Sequence, residues 1–469
     1  MGKLKNLISN RWGICASVLS LLFALSSCSE VDGPGSEPQT AGGITADLQA
    51  FDNPETGDGS ILTDGIEFPF QEPVEISAAK AESVRSTAHN SFGSAISDDA
   101  QIVVFESDLD SENPNDVSYL FVYDSVDGSI ARIGGSDVAL DGNSGSASLS
   151  ANGDLIAFES NASNLYAGDG NTTRDIFVYN RTTATVERIS ESNLGTDADG
   201  ASRSPQISAD GRFVVFISEA RNLVTNDTNS SADVFVHDLV ENETKMLSND
   251  STSATDRRRR DPYGEPDISG TGRFVVFTSY NSLTPDPTRT GVSNIYLHDR
   301  DENTTQLISI GVDDEASDRH SIEPSISNDG RFVVFSSSGS NLVQEDGNHK
   351  SDIFLFDREA DTLVSLSGSF AEADSNLGDS FNPQISGDGK NVIFQSVRSS
   401  AGGEVSSFDL FLVETDSGQG SRAIQSPAEN DRNQPSISGN GDFVTYTSVA
   451  SNQNSEVSSS AVFVVKINQ

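Results

Sequence analysis

Three stretches of this chain place oxygen donors at a spacing that suits a hard cation. Asp169, Asn171 and Asp175, then Asp227, Asn229 and Asp233, then Asp346, Asn348 and Asp352 each read Asp-x-Asn-x-x-x-Asp. Oxygens at alternate positions of a tight loop are what Ca²⁺ takes, and the carboxylates supply the charge. The same residue types also close turns through their own side chains, and the last Asp of each stretch can tie a strand to its neighbour. Turn closure is the plainer reading, so calcium stands as a candidate ligand of these loops and no cofactor is required. A second constellation is Arg257, Arg258, Arg259 and Arg260. Four guanidinium groups could clamp a carboxylated ligand bidentately, or neutralise Asp250, Asp256 and Asp261 beside them.

Other residue types point away from chemistry. His237 and His298 occupy one repeated position, but the same position elsewhere holds Tyr123, Tyr179, Phe356, Val413 and Val465, so it reads as a packing slot and not a metal pair. His89, His320 and His349 fall in expected loops. No Gly-x-Ser-x-Gly elbow occurs, and Gly270-Thr271-Gly272 reads as a hairpin turn and not a dinucleotide fingerprint. No catalytic residue is singled out.

The elements that position these residues repeat. Residues 323–337, Glu-Pro-Ser-Ile-Ser-Asn-Asp-Gly-Arg-Phe-Val-Val-Phe-Ser-Ser, read as two strands joined by an Asx-Gly turn. The second strand is apolar on both faces, which predicts cover on both sides. Its aromatic position recurs as Phe105, Phe158, Phe216, Phe277, Phe335, Phe394 and Tyr446, at intervals of 53, 58, 61, 58, 59 and 52 residues. A third strand follows, as in Asp175-Ile176-Phe177-Val178-Tyr179, and then a fourth, as in Val186-Glu187-Arg188-Ile189-Ser190. Seven units of four antiparallel strands predict an all-β, seven-bladed β-propeller over residues 74–469. The last unit ends at its third strand, 461–466, and Val74-Glu75-Ile76-Ser77 looks like a missing fourth, so the N-terminal strand is expected to complete the last blade and close the ring.

Ahead of residue 74 the composition changes twice. Lys3, Lys5 and Arg11 precede an apolar run from Trp12 to Leu25, too short to cross a bilayer comfortably, so residues 1–27 read as a signal peptide. Its end, Leu25-Ser26-Ser27-Cys28, resembles the bacterial lipobox, which implies lipidation of Cys28. By resemblance to lipoprotein sorting, Ser29 at the next position implies the outer membrane of a Gram-negative envelope, facing the periplasm or the cell surface. Residues 28–73 are rich in Gly, Pro, Ser, Thr and acids, a flexible tether with an r.m.s. span of roughly 35–40 Å. The other cysteine, Cys15, lies within the signal, so the mature chain holds no disulfide pair.

The balance of charge excludes partners as well. The 469 residues carry 71 acids and 29 bases, a formal charge of −42; loss of Lys3, Lys5 and Arg11 leaves 26 bases and −45. Nucleic acid and anionic lipid surfaces would be repelled, which leaves the lipid anchor as the only membrane contact expected. Cations, a basic partner or plain solvation in salt are compatible with it.

The repeat Pro-x-Ile-Ser-x-Asp-Gly-Arg-Phe-Val-x-Phe-x-Ser, followed by Asp-Ile-Phe-x-x-Asp, resembles the WD40-like propeller repeat of TolB and its relatives. In a propeller the loops from second to third strands and from each blade to the next open on one face, and here the long insertions 222–232, 249–264 and 368–380 all belong to that face. It is the expected functional face. The reading that follows is a lipid-anchored, monomeric, non-catalytic scaffold that binds an envelope protein or glycan. The alternative is a carbohydrate-active hydrolase or lyase with its site at the channel mouth, where acids from separate blades could converge.

Overall fold

The computed structural model describes residues 74–75, 91–108, 117–135, 139–229, 231–248, 265–285, 291–344, 346, 348–368, 377–399, 405–418, 420–425, 435–450 and 459–467. They form seven antiparallel sheets of four strands each, a seven-bladed β-propeller. Blades 1 to 6 span residues 91–132, 144–188, 202–246, 267–307, 321–365 and 377–425. In blade 7 the sheet order is Val74–Glu75, Ser459–Lys466, Phe443–Ala450 and Ser436–Ile437, with Val74 opposite Val464 and Glu75 opposite Phe463.

Blade 5 shows why the repeated sequence folds this way. Ser321–Ile326 pairs with Phe332–Ser337, which pairs with Asp352–Asp357, which pairs with Thr362–Ser365. Between the first two strands, the Ser327 hydroxyl accepts the Phe332 N–H at 3.0 Å and donates to Asp329 at 2.6 Å, while Gly330 takes the left-handed φ of +71° that the turn needs. A Cβ at Gly330 would also run into the Phe274 ring of blade 4. The same serine, as Ser97, Ser150, Ser208, Ser269, Ser386 and Ser438, accepts the corresponding N–H in the other six blades at 3.0–3.1 Å. Gly270-Thr271-Gly272 is the blade 4 copy of this turn.

The apolar second strands are buried on both faces, as their composition predicts. At the centre of each blade two aromatic rings stack across the second and third strands, from Phe105 on Phe121 to Tyr446 on Phe463, with centroids 5.4–6.1 Å apart. Adjacent blades then share apolar clusters, such as Phe216 and Phe235 with Ile176 and Ile189 of blade 2. Truncating one such ring to alanine would cost about 3–5 kcal/mol.

On the face of the tight turns, backbone bonds run from blade to blade in a full circle. Asp98 N donates to Ala151 O, Ala151 N to Ala209 O, Asp210 N to Gly270 O, Gly270 N to Asn328 O, Asn328 N to Gly387 O, Asp388 N to Gly439 O and Asn440 N to Asp98 O, at 2.8–3.2 Å. This belt joins blade 7 back to blade 1.

Candidate functional site

The three Asp-x-Asn-x-x-x-Asp loops adopt one hydrogen-bonded form. The amides of Asn171, Asn229 and Asn348 donate to Asp175, Asp233 and Asp352 at 2.9 Å, and their oxygens accept the N–H of Thr173, Ser231 and Lys350. The other oxygen of each aspartate accepts a hydroxyl from the end of its blade's fourth strand: Ser190 on Asp175 at 2.5 Å, Ser248 on Asp233 at 2.7 Å and Ser367 on Asp352 at 2.5 Å. Each of those serines in turn accepts the N–H of the residue after the aspartate. The motif therefore caps a turn and clasps the third strand to the end of the fourth. Burial raises the carboxyls of Asp175 and Asp352 above the ordinary range, against these hydrogen bonds.

The first member of the motif differs among the three. In blade 2, Arg188 inserts its guanidinium between the acids, 3.0 Å from Asp169 and 3.6 Å from Asp175, and also pairs with Glu191 and Asp197. Arg188 lies opposite Phe177; the matching residues are Met246 opposite Phe235 in blade 3 and Ser365 opposite Phe354 in blade 5. Blade 2 thus carries its own cation where the other two do not. Among the described residues, no group of three or more His, Cys, Asp or Glu is arranged to hold a metal ion.

His237 and His298 sit in buried slots on their third strands, each Nδ1 at 2.9 Å from a threonine hydroxyl, Thr244 and Thr305, and burial lowers both imidazoles. His320 packs edge-on to Tyr280 and its Nδ1 accepts the Ser293 N–H at 3.2 Å. Cys28, His89 and Arg257, Arg258, Arg259 and Arg260 lie outside the described residues.

A set of acids that spacing did not single out meets in the central channel. The first strands of the blades enclose a cavity of 540 Å³. Its walls carry a collar of Ile96, Leu149, Ile207, Ile268, Ile326, Ile385 and Ile437. Beside them stand Glu106, Glu265, Asp267, Glu323, Arg203, Gln206, Asn382 and Gln384. At the tight-turn face, Asn328 of blade 5 donates across the channel to Asp98 of blade 1 at 3.0 Å and narrows that end.

Several acids in or beside the channel grip the backbone of the next blade. Glu106 accepts the Ser146 N–H at 2.7 Å, Glu159 that of Ser204 at 2.8 Å, Asp267 that of Ile326 at 2.8 Å and Glu323 that of Asn382 at 2.7 Å. Ser146, Ser204 and Asn382 donate from residues with left-handed φ at a bulge in the first strand, and Glu323 takes the same φ at the blade 5 bulge. Burial pushes the Glu106 carboxyl up to about 7 against the Ser146 N–H, with the charges of Glu159 and Glu265 adding to it. Burial likewise pushes Asp267 up to about 6, against the N–H groups of Ile326 and Ile268. Glu265 is reached by solvent, yet the channel walls, then the charges of Glu159, Asp267 and Glu323, raise it too. Repeat alignment held a signal for this set: Glu265-Pro266, Glu323-Pro324 and Asn382-Pro383 share one position, and Glu106 and Glu159 stand where other blades have Ile217, Thr278 and Ser336.

No protein-family model matches the sequence, and no curated protein matches it. Solved structures do match in fold. An oligogalacturonate lyase from Vibrio parahaemolyticus is 11% identical, with 86% of this chain and 97% of that one covered at a TM-score of 0.54. An oligogalacturonate lyase in complex with manganese is 11% identical over 86% and 96% of the two chains, at 0.53. TolB from Acinetobacter baumannii is 13% identical over 84% and 83%, at 0.39. At these identities the likeness is one of architecture, and the chain is a seven-bladed β-propeller of four-stranded antiparallel blades.

Proposed function

We propose that this chain is a non-catalytic binding propeller of the bacterial cell envelope, held to the outer membrane by lipid on Cys28, that receives a protein or glycan at its channel and long-loop face. The observation that carries this reading is how the channel acids are used. Glu106, Glu159, Asp267 and Glu323 each hold a neighbouring blade, so their geometry serves the ring while Glu106, Asp267 and Glu323 border the cavity. A cavity with such acceptors, with Gln206, Asn382 and Gln384, and with an aliphatic collar suits a neutral or cationic polar group: hydroxyls or amines meet oxygens, and apolar ring faces meet isoleucine. A polyanion is disfavoured, because Asp98, Glu106, Glu265, Asp267 and Glu323 line the cavity with Arg203 as the one base among the lining residues.

Calorimetric titration of the mature chain with neutral, amine-bearing and uronic oligosaccharides and with basic peptides tests it. Binding of neutral or amine-bearing members, lost in Gln384→Phe, is the expected result; preference for uronates, or binding indifferent to the blocked channel, would overturn it. For the anchor, Cys28→Ser should move the protein from the membrane fraction to the soluble one, and retention on the membrane would count against lipidation.

The second reading is a carbohydrate-active hydrolase or lyase. It is favoured by the raised Glu106 and Asp267 carboxyls, since a protonated acid near an ionised one is what general acid–base cleavage uses. Turnover of any member of the glycan panel that Glu106→Gln abolishes would establish it. Oligogalacturonate, the substrate named for the lyases of similar fold, is the member that the acidic lining disfavours.

A further inference from the structure

The channel acids are concentrated where blades meet, and their counter-charges are few. Glu106 of blade 1 binds the blade 2 backbone at Ser146 and feels the charges of Glu159 and Glu265. Glu265 in turn feels Glu159, Asp267 and Glu323, and bonds to the Gln206 side chain. Asp267 of blade 4 accepts the N–H of Ile326 and Ile268 and a bond from the Ser325 side chain. On the opposing side, Arg174 pairs with Glu159 at 3.1 Å but is 46% exposed. Arg203 stands 4.0 Å from Glu219, and Asp98 is bonded to Asn328. Among the described residues, five carboxylates on blades 1, 2, 4 and 5 therefore form a chain of mutual repulsion with two arginines beside it.

We propose that protons are a ligand of this channel: Glu106 and Asp267, which clasp blade to blade and line the cavity, bind and release them in the folded protein, and the number bound sets the charge that the cavity shows to whatever enters. Protonation of Glu106 or Asp267 removes one negative charge and adds one O–H donor to the wall, while a carbonyl oxygen remains to accept the clasping N–H. On the alkaline side the wall is anionic and favours amines. On the acid side it is closer to neutral and offers donors as well as acceptors. These protons bind whichever ligand the cavity takes.

The folded-state values support this. Glu106 lies at about 7 and Asp267 at about 6, above the ordinary 4.5 and 3.8, so the folded protein holds these protons more tightly than the unfolded chain. The resulting stabilisation is full below the ordinary values and is lost as pH rises through the folded ones. Between pH 5.5 and pH 8, Glu106 should change the folding equilibrium on the order of 30-fold and Asp267 about 4-fold, both favouring the folded state at the lower pH. His237 and His298 act in the opposite direction, since burial lowers them. They are common to the variants compared, so their effect cancels.

The test is urea unfolding of the mature chain at pH 5.5 and pH 8 for wild type, Glu106→Gln, Asp267→Asn and, on an exposed turn, Glu241→Gln. Glutamine and asparagine keep the clasping acceptor. Glu106→Gln should remove a factor on the order of 30 from the pH dependence and Asp267→Asn a factor of about 4, with Glu241→Gln as the exposed-site control. The same pH dependence in all four proteins would overturn the proposal. Should the channel variants not fold, infrared difference spectra of the folded wild type decide. A protonated-carboxyl band that titrates between about pH 6 and 7 supports the proposal, and titration of all carboxyls below about pH 5 overturns it.

Discussion

Asp175, Asp233 and Asp352 hold the strands of their own blades together, whereas Glu106, Glu159, Asp267 and Glu323 hold one blade to the next. Both groups are partly or wholly enclosed carboxylates that accept hydrogen bonds from the chain. They differ in what surrounds them. Each loop aspartate receives a serine hydroxyl and an asparagine amide, and in blade 2 a guanidinium as well. Glu106 and Glu323 each receive one backbone N–H, and Glu159 an N–H and the half-exposed Arg174. Asp267 receives the N–H groups of Ile326 and Ile268 with a bond from Ser325, and the charges of these acids act on one another. Donors from within a blade satisfy a carboxylate in place, although burial raises Asp175 and Asp352 as well. Carboxylates that meet at an axis are left with a charge that depends on pH and on whatever occupies the cavity, which is why the channel is the better place to look for function.

The most damaging change to that contrast is Arg188→Met, which gives blade 2 the residue of blade 3. Arg188, Asp169 and Asp175 have side chains exposed by only 2%, 3% and 0%, so losing the cation leaves buried acids uncompensated. A loss of about 3–5 kcal/mol in urea unfolding is expected. A loss below about 1 kcal/mol would mean that the blade 2 acids need no internal cation. Next comes Asp352→Ala, which strips partners from Ser367 and Asn348 and should cost about 2–3 kcal/mol. Asp233→Ala should match it, since the two clasps are copies.

Smaller effects sharpen the picture at the termini and in the loops. We attribute to Val74–Glu75 the completion of blade 7 and ring closure. Starting the chain after residue 77 should then lower stability by about 1–2 kcal/mol, a modest loss because the circular belt at the tight turns remains. An unchanged unfolding midpoint would show that the belt alone suffices. The smallest effect concerns metal. With the oxygens of Asp233, Asp352, Asn229 and Asn348 already bonded within the chain, a chelator should shift the melting midpoint by less than about 1 °C. A shift of several degrees would restore calcium as a ligand of blades 3 and 5.

Much of the fold was legible because its determinants are short-range. Ser327, Asp329 and Gly330 shape a turn within five residues, and Phe332–Ser337 is apolar on both faces whatever lies beyond it. The loop clasps were legible for the same reason, since Asn171 reaches Asp175 four residues away. What the motif did there was harder to see: the partner Ser190 lies fifteen residues on, at the far end of a fourth strand. The channel was not legible from spacing. Glu106 meets Ser146 forty residues away, Asp267 meets Ile326 and Glu323 meets Asn382 fifty-nine away, and Asp98 meets Asn328 two hundred and thirty away.

By itself, then, the sequence determined seven repeated antiparallel units, their turns, their buried aromatic strands and the clasp residues, because each is settled by neighbours along one blade. The tertiary structure alone decided which carboxylates share a space. Only closing seven blades around an axis brings Glu106, Glu159, Glu265, Asp267 and Glu323 close enough to feel one another's charge, and enclosure in that channel is what raises Glu106 and Asp267 toward neutrality.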